Sequence, residues 1–169
     1  RAVIKMLKRK AYDKLSDWKK QKNKKALCIT GARQIGKTTL IREFAKNNYA
    51  NFVEINFITD DGAADIFSGS LDADTLITNI TAFTRKSLVE GDTLVLFDEI
   101  QQCPNARTAI KFLVEDGRFD YVESGSLLGV GYNHVKSFPV GFEEIYRIYP
   151  MDFEEYLWAN GVQNSTIDY

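Results

Sequence analysis

A glycine-rich segment has the residue types and spacing of a phosphate-binding loop. Residues 31–39 are Gly-Ala-Arg-Gln-Ile-Gly-Lys-Thr-Thr, between an apolar run at 26–30 and a helix-like stretch at 40–45. Glycines at the first and sixth positions permit backbone angles that other residues resist, so successive N–H groups can surround a phosphate at a helix N-terminus. We expect Lys37 to contact the β- and γ-phosphates and the Thr38 hydroxyl to ligate Mg²⁺. The predicted nucleotide-binding residues are Gly31, Ala32, Arg33, Gln34, Ile35, Gly36, Lys37, Thr38 and Thr39.

Two adjacent carboxylates follow another apolar run, Thr-Leu-Val-Leu-Phe-Asp-Glu at 93–99. Parallel sheets bind ligands outside the carboxyl ends of their strands, so this motif and the glycine-rich loop should face one nucleotide. We expect Asp98 to hold Mg²⁺ together with Thr38. Glu99 is aimed differently and is positioned to polarise an attacking water as general base.

Other polar residues near these motifs allow more than one interpretation. Ser124 ends an apolar run, where its hydroxyl would hold the water or sense the phosphate, or simply belong to a serine turn. Gln101, Gln102 and Arg33 would likewise touch the nucleotide, sense it, or do neither. The catalytic candidates are therefore Glu99, Lys37 and Ser124.

The sequence favours ATP as the nucleotide. Guanine specificity usually requires an Asn-Lys-x-Asp strand end, whereas residues 23–26 are Asn-Lys-Lys-Ala and precede the first strand. Small-molecule kinases share the loop but often carry a lid of arginines. The glycine-rich stretch 127–143, the candidate flap, has no arginine, which weakens a kinase interpretation.

Composition predicts one globular domain. The chain has 169 residues, of which 44% are hydrophobic, and no apolar run approaches the 18 residues of a membrane span. No signal peptide is visible, and Cys28 and Cys103 have neither metal-ligand spacing nor a disulfide framework. These features indicate a cytoplasmic protein. His134 has no partner cluster and is expected to be an ordinary loop residue.

The N-terminal segment is strongly basic, and the rest of the chain is acidic. Residues 1–25 contain eleven Lys or Arg and two Asp. An apolar stripe at helical spacing predicts a helix over residues 1–22 that packs on the core; it comprises Ile4, Leu7, Ala11, Leu15 and Trp18. We favour a solvated lysine face that balances the acidic body over a nucleic-acid contact surface, because no aromatics interleave the charges.

Apolar runs alternate with helical periods along the chain. The predicted strands are 26–30, 51–57, 93–97, 119–124 and about 144–149, and residues 71–88 are predicted to form one helix. This alternation predicts an α/β fold in which helices cover both faces of a five-stranded parallel sheet.

Four motifs follow one another along the chain: the loop at 31–40, Leu-Phe-Asp-Glu-Ile-Gln at 96–101, Glu-Ser-Gly-Ser-Leu-Leu-Gly at 123–129 and Tyr-Pro-Met-Asp-Phe-Glu-Glu-Tyr-Leu at 149–157. Together they resemble prokaryotic AAA-type ATPases that usually carry a C-terminal, nuclease-like domain of unknown function. The resemblance covers about residues 10–160. It implies a P-loop NTPase three-layer sandwich with strand order 5-1-4-3-2, Asp98 and Glu99 as the magnesium-binding and water-activating acids, and Ser124 as phosphate sensor.

One departure from the family concerns the arginine finger. Many relatives have a basic residue after the glycine that precedes the fifth strand, whereas here Phe142 follows Gly141. Arg147 and Arg118 are the remaining candidates, and spacing does not select between them.

We therefore expect an Mg-dependent domain that binds ATP or ADP, hydrolyses ATP and drives a partner. The expected divisions are a basic helix over 1–22, the ATPase domain over 23–160, and the start of a C-terminal region at 161–169. The expected partners are ATP and the C-terminal domain of the full-length chain; a homo-oligomer is compatible, nucleic acid is not favoured and a membrane is not expected. The alternatives are a nucleotide-gated switch with negligible turnover and a small-molecule phosphotransferase.

Overall fold

The computed structural model describes residues 8–126 and 140–162. Strands and helices alternate along these residues, and two short 3₁₀ helices, Ala63–Phe67 and Ile100–Gln102, join longer elements. In chain order the longer elements are α1 (Lys10–Lys19), β1 (Ala26–Gly31), α2 (Lys37–Asn48), β2 (Asn51–Asn56), α3 (Ala73–Thr84), β3 (Thr93–Asp98), α4 (Pro104–Asp116), β4 (Asp120–Ser126), β5 (Glu143–Arg147) and α5 (Phe153–Ala159).

The five strands form one parallel sheet in the order β2-β3-β4-β1-β5. This arrangement confirms the predicted fold class and strand order. Because the strands are parallel, their carboxyl ends lie together, at what we call the carboxyl edge; the opposite end is the amino edge. The glycine-rich loop leaves β1 at the carboxyl edge, and Asp98 ends β3 there. The topology thus brings both sequence motifs to one place.

Helices cover both faces of the sheet and enclose two apolar clusters. Helices α3 and α4 pack on one face, around Val53, Ile55, Val95, Phe97 and Tyr121. Helices α1 and α2 pack on the other face, around Leu27, Ile29, Leu94, Leu96 and Val122. Strands β1 and β3 are buried throughout, as expected for strands with helices on both sides.

Helix α1 is shorter than the predicted helix over 1–22. Arg9 precedes it with extended backbone, and the helix ends at Lys19. Its residues Ala11, Leu15 and Trp18 are buried, and the Trp18 indole donates to the Lys25 carbonyl at 2.8 Å. The other predicted stripe residues, at positions 4 and 7, lie outside the described residues.

Lysines of the N-terminal segment pair with acids elsewhere in the chain. Lys14 Nζ lies 2.6 Å from Glu144, and Lys24 Nζ lies 2.8 Å from Asp120. Lys10 Nζ pairs with two acids at the start of α5, Asp152 at 2.8 Å and Glu154 at 2.6 Å. These three lysines therefore pair with acidic groups of the domain, and our preference for a charge-balancing face over a nucleic-acid surface stays a prediction.

Several element boundaries differ from the predictions. The helix predicted over 71–88 covers only Ala73–Thr84, because Asp72 caps its start by accepting from the Thr75 N–H at 2.9 Å and Arg85 ends it at a positive φ of 53°. Strand β4 continues past Ser124 to Ser126, because Gly125 and Ser126 pair with the end of β1. Strand β5 ends at Arg147, before Pro150, which has no N–H for further pairing. The candidate flap lies mostly outside the described residues.

No helix in the part of the chain that the structure describes is both long enough and apolar enough to cross a bilayer.

A buried polar cluster interrupts the core between the sheet and α4. The Cys28 sulfur and carboxylate oxygens of Glu123 and Glu143 all lie within 4.8 Å of one another. Arg107 donates to both Glu143 oxygens, at 2.9 and 3.2 Å. Burial raises the pKa of Glu123 well above 4.5, and the Glu143 charge raises it further. The protonated form of Glu123 is therefore favoured by folding, beside an Arg107–Glu143 ion pair.

Replacing Glu123 by glutamine should flatten the dependence of stability on pH. Above about pH 4.5 the unfolded chain releases a proton that folded Glu123 keeps, so the parent loses stability as pH rises towards the raised folded pKa. Glutamine resembles the protonated acid and does not titrate. The Glu123→Gln variant should therefore gain stability over the parent in urea unfolding as pH rises above about 4.5.

The matched control is Glu144→Gln, because the pKa of Glu144 is shifted in the opposite direction. The hydrogen bond from Lys14 lowers the pKa of Glu144, so its contribution is present above about pH 4.5 and is lost as pH falls. If the free energy of unfolding depends on pH in the same way in the parent and in the Glu123→Gln variant, the protonated form of Glu123 is not favoured by folding.

Candidate nucleotide-binding site

The two glycines of the loop serve different physical needs. Gly36 adopts a φ of 87° immediately before α2, a conformation that glycine tolerates and side chains resist. A Cβ atom on Gly31 would lie 2.5 Å from the Ile148 carbonyl oxygen and 2.6 Å from Ile35 Cδ1. Gly31 is therefore needed for close packing, and our expectation that it supplies an unusual backbone angle was wrong. Gln34 is a second residue of the loop with positive φ, at 64°.

The Lys37 side chain curls back over the loop. Its ammonium donates to the carbonyls of Gly31 at 3.2 Å and Ala32 at 2.7 Å, and the residue is 8% exposed. Burial lowers the pKa of Lys37 from 10.5, while the charges of Glu99 and Asp98 work in the opposite direction. A cation that has lost part of its hydration is well suited to bind a phosphate anion.

Asp98 is the centre of a hydrogen-bond network that joins strands β2, β3 and β4 to helix α2. Its Oδ2 accepts from the Thr38 hydroxyl and the Asn56 amide, both at 3.1 Å. Its Oδ1 accepts from the Glu99 N–H at 3.1 Å and from the Ser124 hydroxyl. Because the carboxylate is held on both oxygens, its orientation is fixed, and it directly links the acid pair to the glycine-rich loop.

Ser124 lies in the sheet, two residues before the end of β4. It is fully buried, and it is paired in register with Asp98 on β3. Because its hydroxyl donates to the Asp98 carboxylate, the structure gives it a clear role in orienting that acid. Its predicted role as phosphate sensor stays a prediction.

Glu99 turns away from the strand direction. Its φ of 56° is unusual for a residue other than glycine. Glu99 Oε2 accepts from Gln101 Nε2 at 2.5 Å. Gln101 therefore contacts the candidate general base, a relation that the sequence had left open.

Seven of the predicted site residues line one open cavity at the carboxyl edge, whereas Gly31, Ala32, Ile35, Asp98 and Ser124 do not line it. The cavity has a volume of about 340 Å³. It is lined by Arg33, Gln34, Gly36, Lys37, Thr38, Thr39 and Glu99. The loop and the acid pair, distant in sequence, thus meet as the parallel sheet predicts.

The residues beside this cavity fit Mg²⁺. Thr38 offers a hydroxyl and Asp98 a carboxylate, and their oxygen atoms lie 3.1 Å apart. Mg²⁺ prefers such hard oxygen ligands and usually completes its coordination with water and substrate phosphates. Thr38 and Asp98 would hold the ion; a bound Mg²⁺ would neutralise charge on the phosphates.

The structure adds two residues that sequence reasoning missed. Asn56 ends β2 and donates to Asp98 at 3.1 Å; its position at the carboxyl end of a predicted strand was the available signal. Arg9 donates to the Ile35 carbonyl at 3.1 Å, and no motif in the basic N-terminal segment distinguished it from the neighbouring lysines.

The arginine-finger candidates lie at different edges of the sheet. Arg118 precedes β4 at the amino edge, where it pairs with Asp74 at 2.5 Å and Asp116 at 2.8 Å. It is therefore not placed to contact a nucleotide in the same chain. Arg147 ends β5 at the carboxyl edge, is exposed, and stacks 5.3 Å from the Tyr149 ring. The predicted loop residue His134 lies outside the described residues.

A larger cavity, of about 610 Å³, lies at the amino edge. Its lining mixes basic, acidic and aromatic side chains, including Lys24, Asp120 and Phe119. None of the residues predicted to bind phosphate lies there, and Lys24 is already paired with Asp120. Volume alone therefore does not identify the site, and most of the residues predicted to bind phosphate line the smaller cavity instead.

Comparisons with known proteins agree with this geometry. The family model described as an AAA domain matches residues 23–157. Among solved structures, a variant of RuvB from Thermotoga maritima is similar over 92% of this chain, with 17% sequence identity and a TM-score of 0.55. This chain covers 50% of that one, so it spans about half of its length. No curated protein sequence matches the chain.

The RuvB similarity supports the fold, and the family match covers most of the chain, including the glycine-rich loop and the acid pair. Together they support an ATP-binding P-loop NTPase, and the chain belongs to the AAA domain family.

Proposed function

We propose that this domain binds Mg-ATP at the carboxyl edge, hydrolyses it, and couples the nucleotide state to a partner or to a C-terminal domain of the full-length protein. The observation that carries the proposal is the direct hydrogen bond between Thr38 and Asp98, at 3.1 Å. It joins a hydroxyl and a carboxylate of the types that hold magnesium beside nucleotide phosphates.

Each predicted site residue has a role in this proposal. The backbone N–H groups of the loop and the Lys37 ammonium bind the phosphates, while Thr38 and Asp98 hold Mg²⁺. Ser124 and Asn56 keep Asp98 oriented through their hydrogen bonds. Glu99 lines the cavity and accepts a proton from the attacking water.

Hydrolysis should be measured as phosphate release from ATP in a single-turnover assay. With Mg²⁺ present we expect release, and removing the metal with EDTA should suppress it, because the ion neutralises charge on the transferring phosphoryl group. GTP should be a poorer substrate. The isolated domain is expected to turn over slowly, since a partner or neighbouring subunit would supply the final positive charge.

One observation favours the nucleotide-gated switch as a second candidate. Gln101 Nε2 lies 2.5 Å from Glu99 Oε2, so the carboxylate is already engaged. If this hydrogen bond persists with nucleotide bound, Glu99 is withheld from the water and ATP acts only as a signal. Tight Mg-ATP binding without any phosphate release would support the switch and contradict the hydrolase.

A further inference from the structure

One arginine side chain joins the glycine-rich loop to the last described helix. Arg9 Nη1 donates to the Ile35 carbonyl at 3.1 Å, and its Nη2 donates to the Tyr149 carbonyl at 2.9 Å. Its Nε lies 3.2 Å from Glu155 Oε1, in α5. A single guanidinium thus contacts the loop, the connection between β5 and α5, and α5 itself.

The contact of Arg9 with Glu155 is largely shielded from water, whereas its hydrogen bond to the Tyr149 carbonyl is exposed. The exposed fractions of the Arg9 and Glu155 side chains are 13% and 6%. Charged hydrogen bonds are stronger in such surroundings than at the surface. The planar fork of arginine can serve three acceptors at once, whereas the compact ammonium of lysine cannot reproduce that geometry.

Glu155 is itself fixed from two directions. Its Oε2 accepts from the Asp152 N–H at 3.1 Å, and Asp152 Oδ1 accepts from the Glu155 N–H at 2.8 Å, which completes a capping box at the start of α5. Its Oε1 also accepts from the Lys10 N–H at 2.8 Å. The start of α1 and the start of α5 therefore share one buried carboxylate.

Other contacts strengthen the link between the N-terminal segment and α5. The Lys8 ammonium lies 3.9 Å from the centre of the Trp158 ring, a cation–π distance. Lys10 pairs with Asp152 and Glu154 at 2.8 and 2.6 Å. This part of the N-terminal segment and α5 should consequently move together.

On the loop side, Arg9 holds a peptide group that belongs to the candidate phosphate site. The Ile35 carbonyl and the Gly36 N–H are part of the same rigid, planar peptide. Holding the carbonyl towards Arg9 therefore fixes the direction of the Gly36 N–H. Gly36 lines the cavity at the carboxyl edge, so the orientation of this peptide matters for an anion bound there.

We propose that Arg9 is a positioning residue that sets the Ile35 to Gly36 peptide for phosphate binding and transmits nucleotide occupancy to α5. This inference rests on the proposed function and adds a route from the site to the surface. Phe153 and Tyr156, which are 75% and 56% exposed, lie on the helix that receives the signal. A change in the loop would thereby alter how α5 presents these aromatic rings.

Hydrogen exchange with and without Mg-ADP tests the route. In the parent, saturating Mg-ADP should slow exchange both in residues 31–39 and in α5. In the Arg9→Ala variant, the affinity for Mg-ADP should fall roughly tenfold, because a charged hydrogen bond to the loop is lost. At saturation the loop should again be protected, but α5 should show no response.

Two further variants distinguish a loss of coupling between the loop and α5 from a general loss of protein stability. Arg42→Ala removes an arginine of α2 whose exposed pair with Glu54, at 2.6 and 2.7 Å, does not touch the loop; it should keep both responses. Glu155→Gln keeps the shape of the side chain but removes its charge. It should bind Mg-ADP within about twofold of the parent, since Arg9 still reaches Ile35, and lose the α5 response. If Arg9→Ala does not fold, Glu155→Gln carries the test.

The possible results separate this inference from the proposed function. Protection of the loop in the parent without any change in α5 would overturn the coupling and leave nucleotide binding intact. An unchanged α5 response in Arg9→Ala, or in Glu155→Gln, would overturn it as well. A parent that shows no response to Mg-ADP anywhere would contradict the proposed function, and the inference with it.

Discussion

Replacing Lys37 by alanine is expected to abolish binding of Mg-ATP and Mg-ADP. The ammonium lies over the loop, where it donates to the Gly31 and Ala32 carbonyls, and it is nearly buried. We expect it to exchange these carbonyls for phosphate oxygens when nucleotide binds. Hydrogen bonds to charged groups contribute about 1.5–3 kcal/mol each, so losing them should cost about 3 kcal/mol or more, at least about a hundredfold in affinity.

Calorimetric titration of the parent and the Lys37→Ala variant measures this effect. Lys46→Ala is the matched control, because Lys46 lies in the last turn of the same helix and is exposed. It should bind nucleotide like the parent. Equal affinity in the Lys37→Ala variant would remove Lys37 from the site, provided thermal unfolding shows that the variant is folded.

Replacing Glu99 by glutamine should preserve nucleotide affinity but lower the rate of hydrolysis by roughly 10²-fold or more, the range typical of a general acid–base group. Glutamine has nearly the shape of glutamate but cannot accept the proton of the attacking water. The unusual φ of 56° at this position is a backbone property, which the substitution leaves in place. The expected loss of hydrolysis rate therefore comes from the missing proton acceptor and not from a change in the backbone.

Single-turnover phosphate release is the appropriate measurement, because it excludes slow product dissociation. Glu90→Gln serves as control, since Glu90 is exposed and lies near the start of β3, at the amino edge. If the Glu99→Gln variant hydrolyses ATP as fast as the parent, Glu99 is structural and another group positions the water.

The fold could be predicted to a large extent because its signals are local or repeated. Buried parallel strands appear as continuous apolar runs, such as 93–97, and each is separated from the next by a helical pattern. The strand order came from the family resemblance and not from periodicity. Strand ends were harder to predict. In β4, Gly125 and Ser126 are poor strand formers, and they remain in the sheet because they pair with β1.

The candidate site was predictable where one motif carries its own chemistry. The glycine-rich loop and the acid pair have characteristic spacing, and the topology alone brings them together. The supporting residues were not predictable, because their role depends on register between strands. Ser124 reaches Asp98 since β4 and β3 pair in that register, and Asn56 reaches it from β2.

Long-range polar contacts left little trace in the sequence. Arg9 stands among many lysines, and only the fold shows that it meets Ile35, Tyr149 and Glu155. Similarly, Cys28, Glu123 and Glu143 come from three strands and converge only when these are adjacent. A glutamate in the middle of a predicted strand, Glu123, was the available signal for that cluster.

A titration of the protein with Mg-ADP, followed by the NMR signals of its backbone amides, tests the central claim most directly. Amide signals report the location of a ligand without requiring turnover. Our account predicts saturable shifts that are largest in residues 31–39 and at Asp98 and Glu99, with none of comparable size around the cavity at the amino edge. Shifts centred on Lys24 and Phe119 in that other cavity, or no saturable shifts at all, would contradict it.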